Sequence, residues 1–375
     1  MYFHIILTDD CNLCCRYCRE KAFEREDDRL PETMEIEIDT DLSSDLTYDL
    51  KLLYRFLAQD PAPTLTFYGG EPLLRSELIE KIVSEAPVQR FMIQTNGVLL
   101  DQLAPEIINK LSTILVSLDG REALTDENRG TGVFSRVIKN VKLIRSNGYC
   151  GELIARMTVT EQTDIFDEVW YLTENPEFPF SSIHWQMDAN FSRDLSRRRF
   201  AEWVDRSYNP GIRALVKTWV DDMEQHGLVR CWYPFIDPME DLLNGKETLL
   251  RCGSGHANYA IMTDGSIAPC PIMIGMRSHY VGHIKNADPR NLPRIPIGGE
   301  CTTCRIHTFC GGRCLYSAIV HPWNETGRHL VCGTVENLHQ ALIDELPRVQ
   351  ALIESGLIKI SDFAHEKFNG CEIIP

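Results

Sequence analysis

Short apolar, β-branched runs alternate along the chain with stretches whose apolar residues recur every three or four positions. The runs at 2–8 (YFHIILT), 64–68 (TLTFY), 90–94 (RFMIQ), 113–118 (TILVSL), 152–159 (ELIARMTV) and 182–187 (SIHWQM) read as strands. Between them, Leu46, Leu50, Leu53 and Leu57 fall on one helical face after Ser43 or Ser44 as N-cap. Phe134, Val137, Ile138, Val141 and Ile144 do the same, and Gly148 ends that helix. Six β–α units imply an α/β fold with a parallel sheet and outer helices, either a barrel or an open doubly wound sheet. In both, ligands bind at the C-terminal ends of the strands. The residues there are Cys11–Cys18, Gly69–Pro72, Thr95–Gly97, Asp119-Gly120 and the stretch after Met187.

Residues 197–226 read as one long helix, with Phe200, Trp203, Val204, Ile212, Leu215 and Trp219 as its apolar positions. A domain boundary is expected near residue 228. This gives a barrel over 1–228, a cysteine-rich domain over 229–335 and a helical tail over 336–375. The segment Glu32–Asp45 carries six acids and no base, and alternates around Ile36, Ile38 and Leu42. It reads as a charged edge strand.

Composition narrows the function classes. Of 375 residues, 43% are apolar and 25% charged, the balance of a soluble globular protein. A net charge of −16 argues against binding nucleic acid or anionic lipid, both of which need a basic surface. No apolar run is long enough for a membrane span, and the N-terminus lacks a signal-peptide pattern. A cytoplasmic protein is expected. There, 14 cysteines point to metal or redox centres rather than disulfides.

Four cysteines lie in the first 18 residues: Cys11, Cys14, Cys15 and Cys18. Cys11-x3-Cys15-x2-Cys18 places three thiolates on one loop. They can ligate three corners of a cubane cluster and leave the fourth iron open. Cys11-x2-Cys14-x3-Cys18 competes as a register, and a small zinc site or a redox pair is the plainer alternative. With Tyr17 before the last cysteine, the loop resembles the signature of radical S-adenosylmethionine (SAM) enzymes. Gly69-Gly70-Glu71-Pro72 after the second strand resembles their GGEP motif, where paired glycines let backbone approach a ligand closely. Ser117-Leu118-Asp119-Gly120 and Asp126-Glu127-Asn128-Arg129 resemble loops of the peptide-modifying members. The resemblance implies that Ser117, Arg129 and Arg156 hold the SAM carboxylate and that Gln186 reaches the ribose or adenine. It also implies a partial (β/α)6 TIM-like barrel.

Seven cysteines fall between residues 252 and 332. Cys252-x12-Gly265-x4-Cys270, then Cys301-x2-Cys304-x5-Cys310-x3-Cys314, then Cys332, resembles the SPASM domain, which holds two auxiliary clusters. Seven ligands are an awkward set for tetrahedral zinc. The resemblance assigns Cys252, Cys270 and Cys314 to the inner cluster and Cys301, Cys304, Cys310 and Cys332 to the outer one. Cys231, 21 residues upstream of Cys252, is the one candidate to close the inner cluster; the other outcome is an open iron able to bind substrate or water. Cys14, Cys150 and Cys371 are expected to be buried structural residues.

Three 4Fe-4S clusters and SAM are therefore implied, with a peptide or small protein as substrate and a flavodoxin- or ferredoxin-type electron donor. The implied activity is hydrogen abstraction by a 5′-deoxyadenosyl radical, leading to a thioether, a carbon–carbon crosslink or an epimer. Strand one begins at residue 2, so a peptide-recognition domain is expected on a separate protein, if one is used. Sulfatase-maturing members carry an Asp after the Gly-x4-Cys cysteine, whereas Pro271 stands here. That leaves formylglycine formation as the alternative product. A non-catalytic iron–sulfur carrier or sensor is the alternative of another class. An anaerobic host is also expected.

Overall fold

Strand β1 (Tyr2–Ile6) is buried from Phe3 onward, in the middle of a parallel sheet. The structure, a computed structural model, describes residues 1–18, 37–178, 180–189 and 194–369. On one side of β1 the order runs through β2 (Thr64–Tyr68), β3 (Arg90–Thr95), β4 (Leu111–Ser117) and β5 (Glu152–Val159), each parallel to the last. β6 (Ser182–Met187) follows β5. All six strands fall where the sequence places them. Their apolar runs are nearly continuous, as strands covered on both faces require.

The chain forms two compact units. The first comprises Met1–Arg156, Pro176–Phe180 and Gly253–Pro296. Its helices are α1 (Leu50–Leu57), α2 (Ser76–Glu85), α3 (Pro105–Ile108), α4 (Glu122–Arg129) and α5 (Val133–Ser146). Three further strands, unforeseen from sequence, extend its sheet beyond β1. β7 (Asn258–Ile261) pairs parallel with β1, and the short β8 (Ser266–Ala268) and β9 (Gly282–His283) follow antiparallel. A buried bond between His4 Nδ1 and Asn258 Oδ1, 2.9 Å, ties β7 to β1.

The second unit comprises Met157–Asn175, Ser181–Cys252 and Ile297–Pro375. It holds α6 (Ile165–Glu174), α7 (Phe200–Trp203), α8 (Asn209–His226), α9 (Tyr233–Asn244), α10 (His307–Cys310), α11 (Leu315–Val320) and α12 (Glu325–Glu354). Phe235 centres its aromatic core, with the rings of Trp185, Trp219 and Trp232 at 5.2, 5.7 and 5.9 Å. Among the described residues no helix is long and apolar enough to cross a membrane.

Several local expectations are corrected. Asp49, not Ser43 or Ser44, caps α1, its side chain accepting from the Lys51 N–H. Leu46 precedes the helix and donates its N–H to the Leu7 carbonyl, so residues 45–46 extend the end of β1 instead. The long helix of 197–226 is interrupted: a π turn, Val204–Tyr208, separates α7 from α8. Pro210 lacks the N–H that an unbroken α-helix needs there, and the Asn209 N–H reaches back five residues to Val204. The tail helix starts earlier than its apolar spacing suggests, at Glu325, because Asn324 caps it by accepting from Gly327 N–H. Of the acidic segment, residues 32–36 lie outside the described residues. Ile38 makes one antiparallel bridge to Met276 rather than a strand. Cys14 and Cys150 are exposed, against the expectation of burial, and Cys371 lies outside the described residues.

Candidate active site and metal centres

The loop after β1 turns tightly, the Cys18 N–H donating to the Cys15 carbonyl at 3.0 Å. Cys15 lies within electrostatic reach of both Cys11 and Cys18, while Cys14 is exposed. Burial pushes the Cys15 thiol up to about 11, against the lowering effect of Arg129. Without a metal the Cys11 and Cys15 thiols hold their protons, and ligation displaces them.

The glycine pair seats this loop. A Cβ on Gly69, whose φ is +143°, would lie 2.2 Å from the Thr8 carbonyl oxygen. One on Gly70 would lie 2.3 Å from that of Asp10. The Gly70 and Glu71 N–H groups donate to the Thr8 and Asp10 carbonyls at 2.9 and 2.8 Å. The close approach these glycines permit is therefore to the backbone leading into Cys11. Glu71 is fully buried. Its carboxylate accepts from Thr95 Oγ1 and the Asn96 N–H, both at 2.7 Å, and from the Leu73 N–H at 3.0 Å. Burial pushes its pKa up to about 7 despite these three donors. Pro72 opens the short turn that follows. Asn96 then reaches the cysteine loop, donating through Nδ2 to Asn12 Oδ1 at 2.7 Å.

Arg129 does not stand free, as the holder of a ligand carboxylate would. Its guanidinium forks onto Asp119, Nε to Oδ2 at 3.0 Å and Nη2 to Oδ1 at 2.8 Å, and both residues are buried. Tyr17 donates its hydroxyl to the same carboxylate at 2.6 Å, and Arg129 lies over the Tyr17 ring. Arg16 N–H adds a bond to the Asn128 carbonyl at 2.9 Å. The end of α4 thus grips the cysteine loop.

Ser117 and Arg156 face each other as register partners on β4 and β5, both half-buried. Tyr68, at the end of β2, was missed by sequence reasoning. It lies within electrostatic reach of Cys18, Cys270 and Arg156, and its hydroxyl bonds Gln94. The signal was available, since Tyr68 directly precedes the glycine pair. Cys270 is buried in the first unit, and Tyr68 is within electrostatic reach of both it and Cys18.

The second unit carries the other sites. Gln186 is half-buried on β6. Cys231 is half-buried, and its carbonyl accepts from Ile183 N–H at 3.0 Å. Cys252 and Cys314 are buried. Cys301, Cys304, Cys310 and Cys332 line one cavity of about 240 Å³. None of the four is in a disulfide, Cys301 lies within electrostatic reach of the other three, and Cys332 of Cys304 and Cys310. Burial pushes Cys310 up to about 11. Four converging thiols suit a four-iron cluster or another thiophilic metal.

Residues 5–165 match the Radical SAM superfamily model. The N-terminal part of this chain is a radical SAM domain. Curated relatives include the Fe-coproporphyrin III synthase of Methanosarcina barkeri, 29% identical over 160 residues, 42% of this chain and 36% of that protein. A probable GTP 3′,8-cyclase of Methanocaldococcus jannaschii is 30% identical over 142 residues, 37% of this chain and 43% of that protein. The chain thus spans less than half the length of these relatives. Solved structures match further. anSMEcpe with bound AdoMet superposes with a TM-score of 0.69 at 18% identity, covering 95% of this chain and 96% of its own. Streptococcus suis SuiB bound to precursor peptide SuiA gives 0.54 at 18%, covering 84% and 72%. The fold of both is shared well beyond the radical SAM domain, into the cysteine-rich C-terminal region.

Proposed function

We propose that this radical SAM protein modifies a peptide or small protein, using one SAM-binding cluster on Cys11, Cys15 and Cys18 and two auxiliary clusters. The observation that carries this reading is the second set of sulfurs: Cys301, Cys304, Cys310 and Cys332 around one cavity. A radical SAM domain alone has no use for them. The likeness in fold to SuiB bound to its precursor peptide and to anSMEcpe bound to the Cp18Cys peptide supports a peptide substrate.

Bound at the first loop, on Cys11, Cys15 and Cys18, SAM and a reduced cluster would supply the radical chemistry for removing a hydrogen from the substrate. The chain's own residues prepare that place. Gly69 and Gly70 hold the segment before Cys11, and Glu71 and Asn96 brace it from β2 and β3. Asp119, Arg129 and Tyr17 fix the side of Cys15–Cys18. Ser117 and Arg156 offer a hydroxyl and a cation for an anionic group of SAM. Cys270, Cys252 and Cys314 are assigned to the inner auxiliary cluster, with Cys231 as its closing ligand. An electron donor of flavodoxin or ferredoxin type completes the scheme. Pro271 opens a short 3-10 turn directly after Cys270 and offers no base, which supports a crosslink or epimer over formylglycine.

Anaerobic reconstitution tests the reading. About twelve irons per chain are expected, and 5′-deoxyadenosine on incubation with SAM and a strong reductant. Replacing Cys11, Cys15 or Cys18 with Ala removes about four irons and the product, whereas Cys14→Ala keeps both. Intact clusters that yield no 5′-deoxyadenosine overturn the proposal.

A further inference from the structure

Arg251 directly precedes Cys252, and its side chain is 2% exposed. Its Nε and Nη2 both donate to the carbonyl of Phe309, at 3.2 and 2.7 Å, and Phe309 directly precedes Cys310. Its Nη1 meets two carboxylates on α9, those of Asp237 and Asp241. The two segments also touch by backbone. Thr248 N–H donates to the Thr308 carbonyl at 2.9 Å. A Cβ on Gly311, φ +65°, would lie 1.9 Å from the Leu249 carbonyl oxygen. One guanidinium therefore ties together the segment entering Cys252, the segment entering Cys310 and helix α9.

We propose that Arg251 is the positioning residue that sets the Cys252 and Cys310 loops against each other, so that the two auxiliary clusters assemble together. This rests on the assignment of Cys252 and Cys310 to those clusters. A planar guanidinium can serve a carbonyl with one edge and two carboxylates with the other, which a lysine ammonium cannot do at once.

The far side of the same acids is filled from the tail. Lys367 Nζ lies 3.0 Å from Asp237 Oδ1 and 3.5 Å from Asp241 Oδ1, and His365 Nε2 lies 3.2 Å from Asp237 Oδ1. Asp237, Glu240 and His365 could otherwise hold a metal ion. The Lys367 ammonium already sits on those oxygens, so the group is a salt-bridged anchor for the tail.

The test uses the full chain carrying Cys11→Ala, Cys15→Ala and Cys18→Ala, which isolates the auxiliary clusters. About eight irons are expected in this parent. Adding Arg251→Lys keeps a cation on Asp237 and Asp241 but loses the fork on the Phe309 carbonyl. Circular dichroism should remain that of a folded protein, while iron falls from about eight towards zero and the reduced-cluster electron paramagnetic resonance signals disappear together. Adding Lys367→Met instead should leave about eight irons and the parent spectrum. Arg251→Lys with about eight irons and an unchanged spectrum overturns the proposal. So does loss of one cluster alone, or equal loss in Lys367→Met, where charge balance rather than the fork would decide. A parent that binds no iron overturns the auxiliary-cluster reading itself, and the inference with it.

Discussion

The Tyr17 hydroxyl donates to the Asp119 carboxylate at 2.6 Å, joining the cysteine loop to the end of β4. Asp119 is fully buried and balances the buried Arg129. Burial, then the nearby Asp119 charge, holds the Tyr17 pKa well above its ordinary value despite Arg129, so the hydroxyl stays a donor.

Asp119→Asn leaves Arg129 buried without its counter-charge, and breaking such a pair costs about 3–5 kcal/mol. Tyr17→Phe removes one hydrogen bond to a charged group, a cost of about 1.5–3 kcal/mol. Denaturant midpoints should rank wild type above Tyr17→Phe, and that above Asp119→Asn. Equal midpoints for the two variants would contradict the charge pairing.

Glu71 gives a pH dependence of definite sign. Its folded pKa, about 7, lies above the ordinary value of 4.5. Between these values the folded chain binds more protons than the unfolded one, so this residue's contribution to stability falls as pH rises. Glu71→Gln does not titrate. The variant should gain on the wild type by up to roughly 3 kcal/mol between pH 4.5 and 7. Parallel stability–pH curves for the two proteins would refute the shift.

His4 works in the opposite direction. Burial, aided by the Arg156 charge, lowers its pKa from 6.5 to about 4, against the bond to Asn258. The unfolded chain binds the extra proton first, so stability is complete above pH 6.5 and is lost as pH falls towards 4. The loss amounts to roughly 3 kcal/mol. Urea midpoints of wild type and His4→Gln, taken at pH 7 and 5, should converge at the lower pH.

The strands were legible because both faces of the sheet are covered, which writes each one as an apolar run. The cysteine spacings were legible because loops that surround a metal are short in sequence. Pairings made only in three dimensions were not. Arg129 reads from sequence as a free cation for an anionic ligand, yet Asp119, ten residues earlier, takes its whole fork. Nothing in the spacing marks Arg251, whose partner carbonyl is 58 residues away. The four-residue β7 carries too little pattern to announce a strand, and its place is decided by β1 and the His4–Asn258 bond.

Gly70 offers a steric test of how the first loop is seated. A methyl group there would lie 2.3 Å from the Asp10 carbonyl oxygen and 2.4 Å from that of Asp9, both backbone atoms. Relief requires moving the segment that enters Cys11. Gly132 is the control: its φ is +81°, but a Cβ there meets nothing within 4 Å. Gly132→Ala should cost about 1 kcal/mol from backbone strain alone, and leave iron content unchanged. Gly70→Ala should lose the four irons of the first loop, a fall from about twelve to about eight, while the sulfurs around the Cys301–Cys332 cavity keep theirs. Iron analysis with electron paramagnetic resonance of the reduced protein separates these outcomes. A Gly70→Ala protein with about twelve irons would mean that the Asp9–Asp10 backbone can move without disturbing Cys11, and that the glycine pair is not what seats the loop.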